Sequence, residues 1–261
     1  FDHNKTGVTA NSQNNDDQPS PQSGLCPAGS SPSIPGAAGC TIFAYNSVHD
    51  NNDASVPGAG PASLAGGAPI GTGMVLAGTR YITLYSNQVF DNGAWGILVA
   101  DLPDQEHAPA GFPECTGGIW EPVSGTCYYQ AWGNYTWANT LWNNGSFGNP
   151  SNGDLGLATI LHDPGNCFSG NTDPLLPGGQ PSTDPPNLQA APYNPCGQAN
   201  AGDMAVLGAQ ALCATQLVFP CPNLPLANYP RAGQVVLSMP PPQDTMPDPC
   251  AGVPPNPWCK T

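Results

Sequence analysis

GMVLAGTRYITLYSNQVFDNGAWGILVAD, residues Gly73 to Asp101, decides the fold. Short runs alternate apolar and polar residues, and each run stops at Asn or Gly. This is a strand signal interrupted by tight corners. The phrase then restarts, with Gly73-Met74-Val75-Leu76 echoed by Gly96-Ile97-Leu98-Val99. The offset, 96 − 73 = 23 residues, suits stacked coils of a solenoid. The stretch therefore predicts one complete turn of a parallel β-helix.

The same phrase recurs outside the central stretch. FDHN (Phe1–Asn4), NSVHDNN (Asn46–Asn52), NQVFDNG (Asn87–Gly93), NTLWNNG (Asn139–Gly145) and NCFSGNT (Asn166–Thr172) align in one frame. One column is apolar: Phe1, Val48, Val89, Leu141 and Phe168. A second holds Asn4, Asn51, Asn92, Asn144 and Asn171; a third holds Asn46, Asn87, Asn139 and Asn166. Stacked about 4.8 Å apart, apolar columns fill an interior. Asn columns suit corners, where Asn tolerates left-handed backbone and its amide bonds along the stack.

The strand pattern covers residues 1–172. Long loops interrupt it at about 11–39, 53–69 and 102–126. Residues 173–261 are Pro- and Cys-rich and lack a core of their own. They read as an arm that wraps or caps the last turn, with a short helix near Met204–Ala214. The chain enters in mid-repeat at Phe1. An exposed first turn would leave an open sheet edge, so a missing segment or a partner chain is expected there.

Composition narrows the functional classes. Four Lys+Arg stand against 18 Asp+Glu, for a net charge of −14. Such a surface repels nucleic acid, anionic membranes and polyanionic substrates. No run is apolar enough to span a bilayer. The 10 cysteines come in close pairs: Cys26/Cys40, Cys115/Cys127, Cys167/Cys196, Cys213/Cys221 and Cys250/Cys259. No CxxC pair occurs and there are four His, so disulfides in an oxidising, extracellular compartment are expected rather than zinc.

GTGMVLAG, NQVFDNGAWGIL and the recurring N-x-[apolar]-x-x-N phrase carry a resemblance over residues 1–172. The chain resembles the right-handed parallel β-helix repeat proteins, the superfamily of pectate lyases and NosD-like periplasmic proteins. Its tail, with YPRAGQVVLSMPPP and PCAGVPPNPWC, resembles the endings of uncharacterised secreted bacterial members. The resemblance implies an all-β, right-handed parallel β-helix with disulfide-pinned loops. It also implies polysaccharide binding or cleavage as the activity class, although one fold hosts many activities.

The chemistry of that class is sparsely represented. A lyase needs a basic residue, and Arg80 stands alone in the central turn. Glycosidic hydrolysis needs two carboxylates, and Asp101, Asp104 and Glu106 form the best group. A solvated acidic loop is the simpler reading of these three. No Ser-His-Asp phrase is present. Asp50 and Asp53, with Asp16 and Asp17 across the same turn, offer hard oxygen ligands suited to Ca²⁺. His49, Phe90 and Trp142 share an outward column, and Trp95 and Trp120 lie nearby in sequence. Exposed rings in line stack on neutral sugars without needing charge; rings packed under the loops are the alternative. Two functions stay open: binding, with or without processing, of a neutral polysaccharide or cell-surface component, and a structural β-helix that assembles with another protein.

Overall fold

The computed structural model describes residues 1–11, 23–54, 68–104, 107–215, 228–230, 251–252 and 254. Strand β1 (Thr6–Asn11) precedes a repeat of β2 (Thr41–Ala44), β3 (Ser47–His49) and β4 (Thr72–Ala77). A second repeat follows as β5 (Ile82–Tyr85), β6 (Gln88–Phe90) and β7 (Trp95–Ala100). An inserted lobe contains β8 (Leu102–Asp104), β9 (Ile119–Glu121) and β10 (Thr126–Tyr129). The third repeat is β11 (Tyr135–Trp137), β12 (Thr140–Trp142) and β13 (Gly153–Ala158). Then come β14 (Cys167–Ser169), β15 (Thr183–Asp184) and helix α1 (Leu207–Ala214).

The protein is mostly β, with parallel sheets. Each repeat visits three parallel sheets in the same order. These are ordered β14-β11-β5-β2, β12-β6-β3 and β1-β4-β7-β13-β15. The lobe is antiparallel, ordered β8-β10-β9. Register agrees with the 23-residue echo: Met74 pairs with Ile97 and Leu76 with Val99. Met74, Leu76, Ile97, Val99, Leu155 and Leu157 enter one buried core with Val48, Val89, Leu141, Leu84 and Phe168.

One sequence frame shifts. NCFSGNT does not continue the Val48–Val89–Leu141 column, because Phe168 pairs with Thr136 on β11. The next residues above Leu141 are Thr172 and its neighbours, since Leu141 N–H donates to Thr172 O. Asn166 accordingly bonds Asn134, and Asn171 bonds Asn139. Nor does the sheet end at residue 172. Thr183 and Asp184 add β15 to the edge of β13, and Asn166 N–H donates to Asn200 Oδ1.

The Asn corners form hydrogen-bonded ladders. In one, Asn46, Asn87 and Asn139 each donate backbone N–H and side-chain Nδ2–H to the Oδ1 of the next Asn. A parallel ladder runs Asn4, Asn51, Asn92 and Asn144. The residue before each ladder Asn is left-handed: Tyr45, Ser86 and Ala138 in the first, His3, Asp50, Asp91 and Asn143 in the second. That conformation turns the Asn inward and its predecessor outward.

The outer face of the five-stranded sheet is covered too. Leu207, Cys213 and Ala214 of α1, with Tyr229, pack on Trp95, Leu98, Ala100 and Ala158. The predicted helix therefore forms, and it lies against the side of the sheet. Strands β4, β7 and β13 are buried along their whole length. Disulfides join Cys26–Cys40, Cys115–Cys127 and Cys167–Cys196. Cys213 is also disulfide-bonded; Cys221, Cys250 and Cys259 lie outside the described residues. Among the described residues no helix is long and apolar enough to cross a membrane.

Candidate functional site

The outward rings of the second sheet form a continuous stack. His49 lies on Phe90 with centroids 4.6 Å apart and planes at 14°. Phe90 lies on Trp142 at 4.2 Å and 7°. The cause is register: His49 pairs with Phe90 and Phe90 with Trp142 at the last residue of β3, β6 and β12. All three rings are half-buried. Their faces are largely spent on one another, which leaves the outward edges and the far side of Trp142. No further ring stacks on Trp142 among the described residues.

Next to the rings in sequence stand the left-handed corner residues Asp50, Asp91 and Asn143. Together with Asn52, Asn144, Gly145 and Ser146 they line an open groove of about 620 Å³. The groove floor is held by the ladder. Asn144 Oδ1 accepts from Asn92, and its amide donates to Asp154. Asn52 Nδ2 donates to Asp91 O and its Oδ1 accepts from Gly93 N–H, pinning one wall. Asp50 Oδ2 meets His49 Nδ1 at 2.9 Å, which ties the groove to the ring stack. His49 Nε2 also lies 3.8 Å from Asp2. No basic side chain lines the groove.

The other expected site residues fall elsewhere. Trp95 is not in the ring column. It is fully buried, packs in the cluster beneath α1, and donates its indole N–H to Ser151 O at 2.7 Å. Period-2 alternation from the inward Ile97 and Val99 would face Trp95 inward, yet it packs with Leu98 and Ala100 in the outer cluster. Trp120 is 40% exposed on β9 of the antiparallel lobe, in a different sheet from the rings. Asp104 is wholly buried, and Glu106 lies outside the described residues. Asp101 spends both carboxylate oxygens on backbone, accepting from Ala131 N–H and Ile160 N–H at 2.8 and 2.9 Å. It locks three chain segments rather than opening toward a substrate. Arg80 is likewise engaged: its guanidinium sits 4.7 Å over Trp132 and donates to Gly117 O, anchoring the lobe. Asp16 and Asp17 lie outside the described residues. Among the described residues no three His, Cys, Asp or Glu side chains converge on a metal position.

Residue type alone did not single out Asp91, Asn143, Asn144, Gly145 and Ser146 as groove residues. The usable signal was their place at or just after the left-handed corner. A side chain that precedes an inward Asn must face out.

Burial pushes the Asp101 carboxyl up to about 6, against the downward pull of the two N–H donors. The native state therefore holds this proton more tightly than the unfolded chain does. Stability is greatest below the ordinary aspartate value and is lost as pH rises from about 4 to about 6. The contribution amounts to about 3 kcal/mol. Urea midpoints measured across that window should fall with rising pH, and Asp101→Asn should flatten the slope. An unchanged slope in the variant would remove Asp101 as its source.

Comparison with protein-family models, curated proteins and solved structures finds no match for this chain.

Proposed function

We propose that the chain is a secreted, right-handed parallel β-helix that binds an extended neutral polysaccharide along the His49–Phe90–Trp142 side. The observation that carries this reading is the ring stack standing beside an open polar groove, both repeated on consecutive strands. Rings supply apolar surface for sugar C–H groups. Corner carboxylates and amides supply partners for sugar hydroxyls. The formal charge of −14 disfavours uronate polymers. Cyclic use of three parallel sheets supports the helical coil, and the disulfides support an oxidising compartment. Catalysis is not part of the proposal, since the expected acids are enclosed or lie outside the described residues.

The test is affinity electrophoresis in gels containing neutral polysaccharides. Trp142→Ala should weaken retardation about tenfold, equivalent to roughly 1.4 kcal/mol, without lowering the unfolding midpoint by a comparable amount. Retardation equal to that of the parent protein would defeat the reading.

A second reading, assembly with another protein chain, rests on the β1 end of the stack. There the interior columns reach the surface. Phe1 is 60% exposed, and Val8, Ala10 and Phe43 are only partly buried against the core. Sedimentation showing a strict monomer at high concentration, with no partner recovered from the native source, would count against it.

A further inference from the structure

We infer that the groove prefers a cationic amino-sugar polymer over its neutral counterpart; this rests on the glycan-binding reading above and goes beyond its neutral ligand. The free polar groups of the groove are mostly acceptors. Asp91 has no hydrogen-bond or ion-pair partner for its carboxylate among the described residues. Asp50 commits Oδ2 to His49 and leaves Oδ1 uncommitted among them. Asn144 and Asn52 have both ends of their amides occupied within the fold. That leaves Asn143 and Ser146 as the side chains able to donate. An ionised carboxylate only accepts. The matching ligand therefore carries an excess of donors, and an ammonium group has three donors and a positive charge.

Geometry limits the shape of that ligand. Asp50 and Asp91 are equivalent corner positions on successive repeats, because the residues before them, His49 and Phe90, are strand partners. Adjacent parallel strands lie about 4.8 Å apart, close to the length of one pyranose in an extended chain. A linear polymer of 2-amino sugars laid along the stack brings an ammonium group between the two carboxylates; in an extended β-linked chain the amines of adjacent sugars face opposite edges, so one ammonium serves both Asp50 and Asp91. The adjoining rings meet its apolar ring faces and edges. No lining residue is basic, so nothing in the groove opposes the charge. An N-acetylated polymer keeps the shape but loses the charge and two of the three donors. A polyuronate meets like charge at both carboxylates.

The experiment compares three soluble oligosaccharides of equal length: β-linked glucosamine, its N-acetylated form, and galacturonate. Binding to the full chain is followed by titration calorimetry at mildly acidic pH, at low and at physiological ionic strength. The glucosamine oligomer should bind at least about tenfold more tightly than the N-acetylated one at low salt, and the advantage should shrink as salt screens it. Asp91→Asn, which keeps shape and removes one charge, should erase most of that advantage by weakening the glucosamine oligomer several-fold more than the N-acetylated one. Equal or tighter binding of the N-acetylated oligomer overturns this inference but leaves glycan binding standing. Absence of binding by all three overturns this inference, and the gel test above then decides the glycan-binding reading separately. Glucosamine binding that is indifferent to Asp91→Asn overturns the assignment to the groove and points to the overall negative charge of the chain.

Discussion

Replacing Asn139 by alanine should cost about 4 kcal/mol of folding stability, read as a lower urea midpoint at unchanged slope. Asn139 is fully buried. Its Oδ1 accepts from Asn87 N–H and Nδ2–H at 3.0 and 2.9 Å. Its own amide donates to Leu84 O and to Asn171 Oδ1 at 3.0 and 2.9 Å. Truncation removes all four bonds and strands the Asn87 N–H away from water. A buried donor left without an acceptor costs about 1–3 kcal/mol by itself, and the hole adds to this. Aspartate is no remedy, since it keeps the acceptor, loses both donors and buries a charge. The comparison is Asn46→Ala at the β1 end of the same ladder. Asn46 is half-buried, and its Oδ1 receives no donor among the described residues, so about 1 kcal/mol is expected. Equal losses at the two positions would mean that the ladder adds nothing beyond ordinary surface hydrogen bonds.

Gly96→Ala should be nearly as damaging, at about 3 kcal/mol. A Cβ there would lie 2.8 Å from Asn144 Nδ2 and 2.8 Å from Asp154 O. Neither neighbour can yield, one being fixed by the ladder and the other being backbone. Gly73 meets the same crowding from Gly96 O, Val89 and Asn92. These two glycines stack in register beside the corner, so the ladder amides occupy the space where side chains would stand. Gly208 in α1 is the control, since a Cβ there finds only ordinary contacts at 3.7 Å. Gly208→Ala should gain up to about 1 kcal/mol through helix propensity. A Gly96→Ala protein as stable as its parent would show that the corner can relax, and the ladder geometry would lose its claimed rigidity.

These two positions also show how far the sequence could be read. The Gly73/Gly96 echo gave the strand register to the residue, because equivalent strands repeat both apolar pattern and glycine. The Asn columns were visible for the same reason. The fifth echo was misframed because two different corners use one phrase, a left-handed residue followed by Asn, between strands of three or four residues. Only long-range pairing separates Phe168 above Thr136 from a place above Leu141. Period-2 alternation told inside from outside, and so found His49, Phe90 and Trp142. It could not tell what later covers an outside face: Leu98 and Ala100 face outward and are still sealed, by residues more than a hundred positions on. Asp101 and Asp104 looked like an acidic loop, yet one is wholly buried and the other is locked onto backbone from two distant segments. Such partners leave no local trace in the chain.

Every rung of the Asn ladders points the same way, from donor in the earlier repeat to acceptor in the later one. The stack is therefore a vector, much as a helix is. At the far end the last donors meet dedicated acceptors: Gln189 Oε1 for Asn171, Asn200 Oδ1 for Asn166, and the Asp154 carboxylate for Asn144. At the β1 end the side-chain Oδ1 atoms of Asn4 and Asn46 receive no donor among the described residues. One terminus is stoppered and the other accepts. Two β1 ends brought face to face would set lone pair against lone pair, so the ladders disfavour a symmetric head-to-head dimer. A copy arriving by its far end finds its donors already spent, so a head-to-tail filament would break at the first joint. The ladders can be lengthened only by a segment that brings its own inward-turned donors in the same sense, and then only on one side.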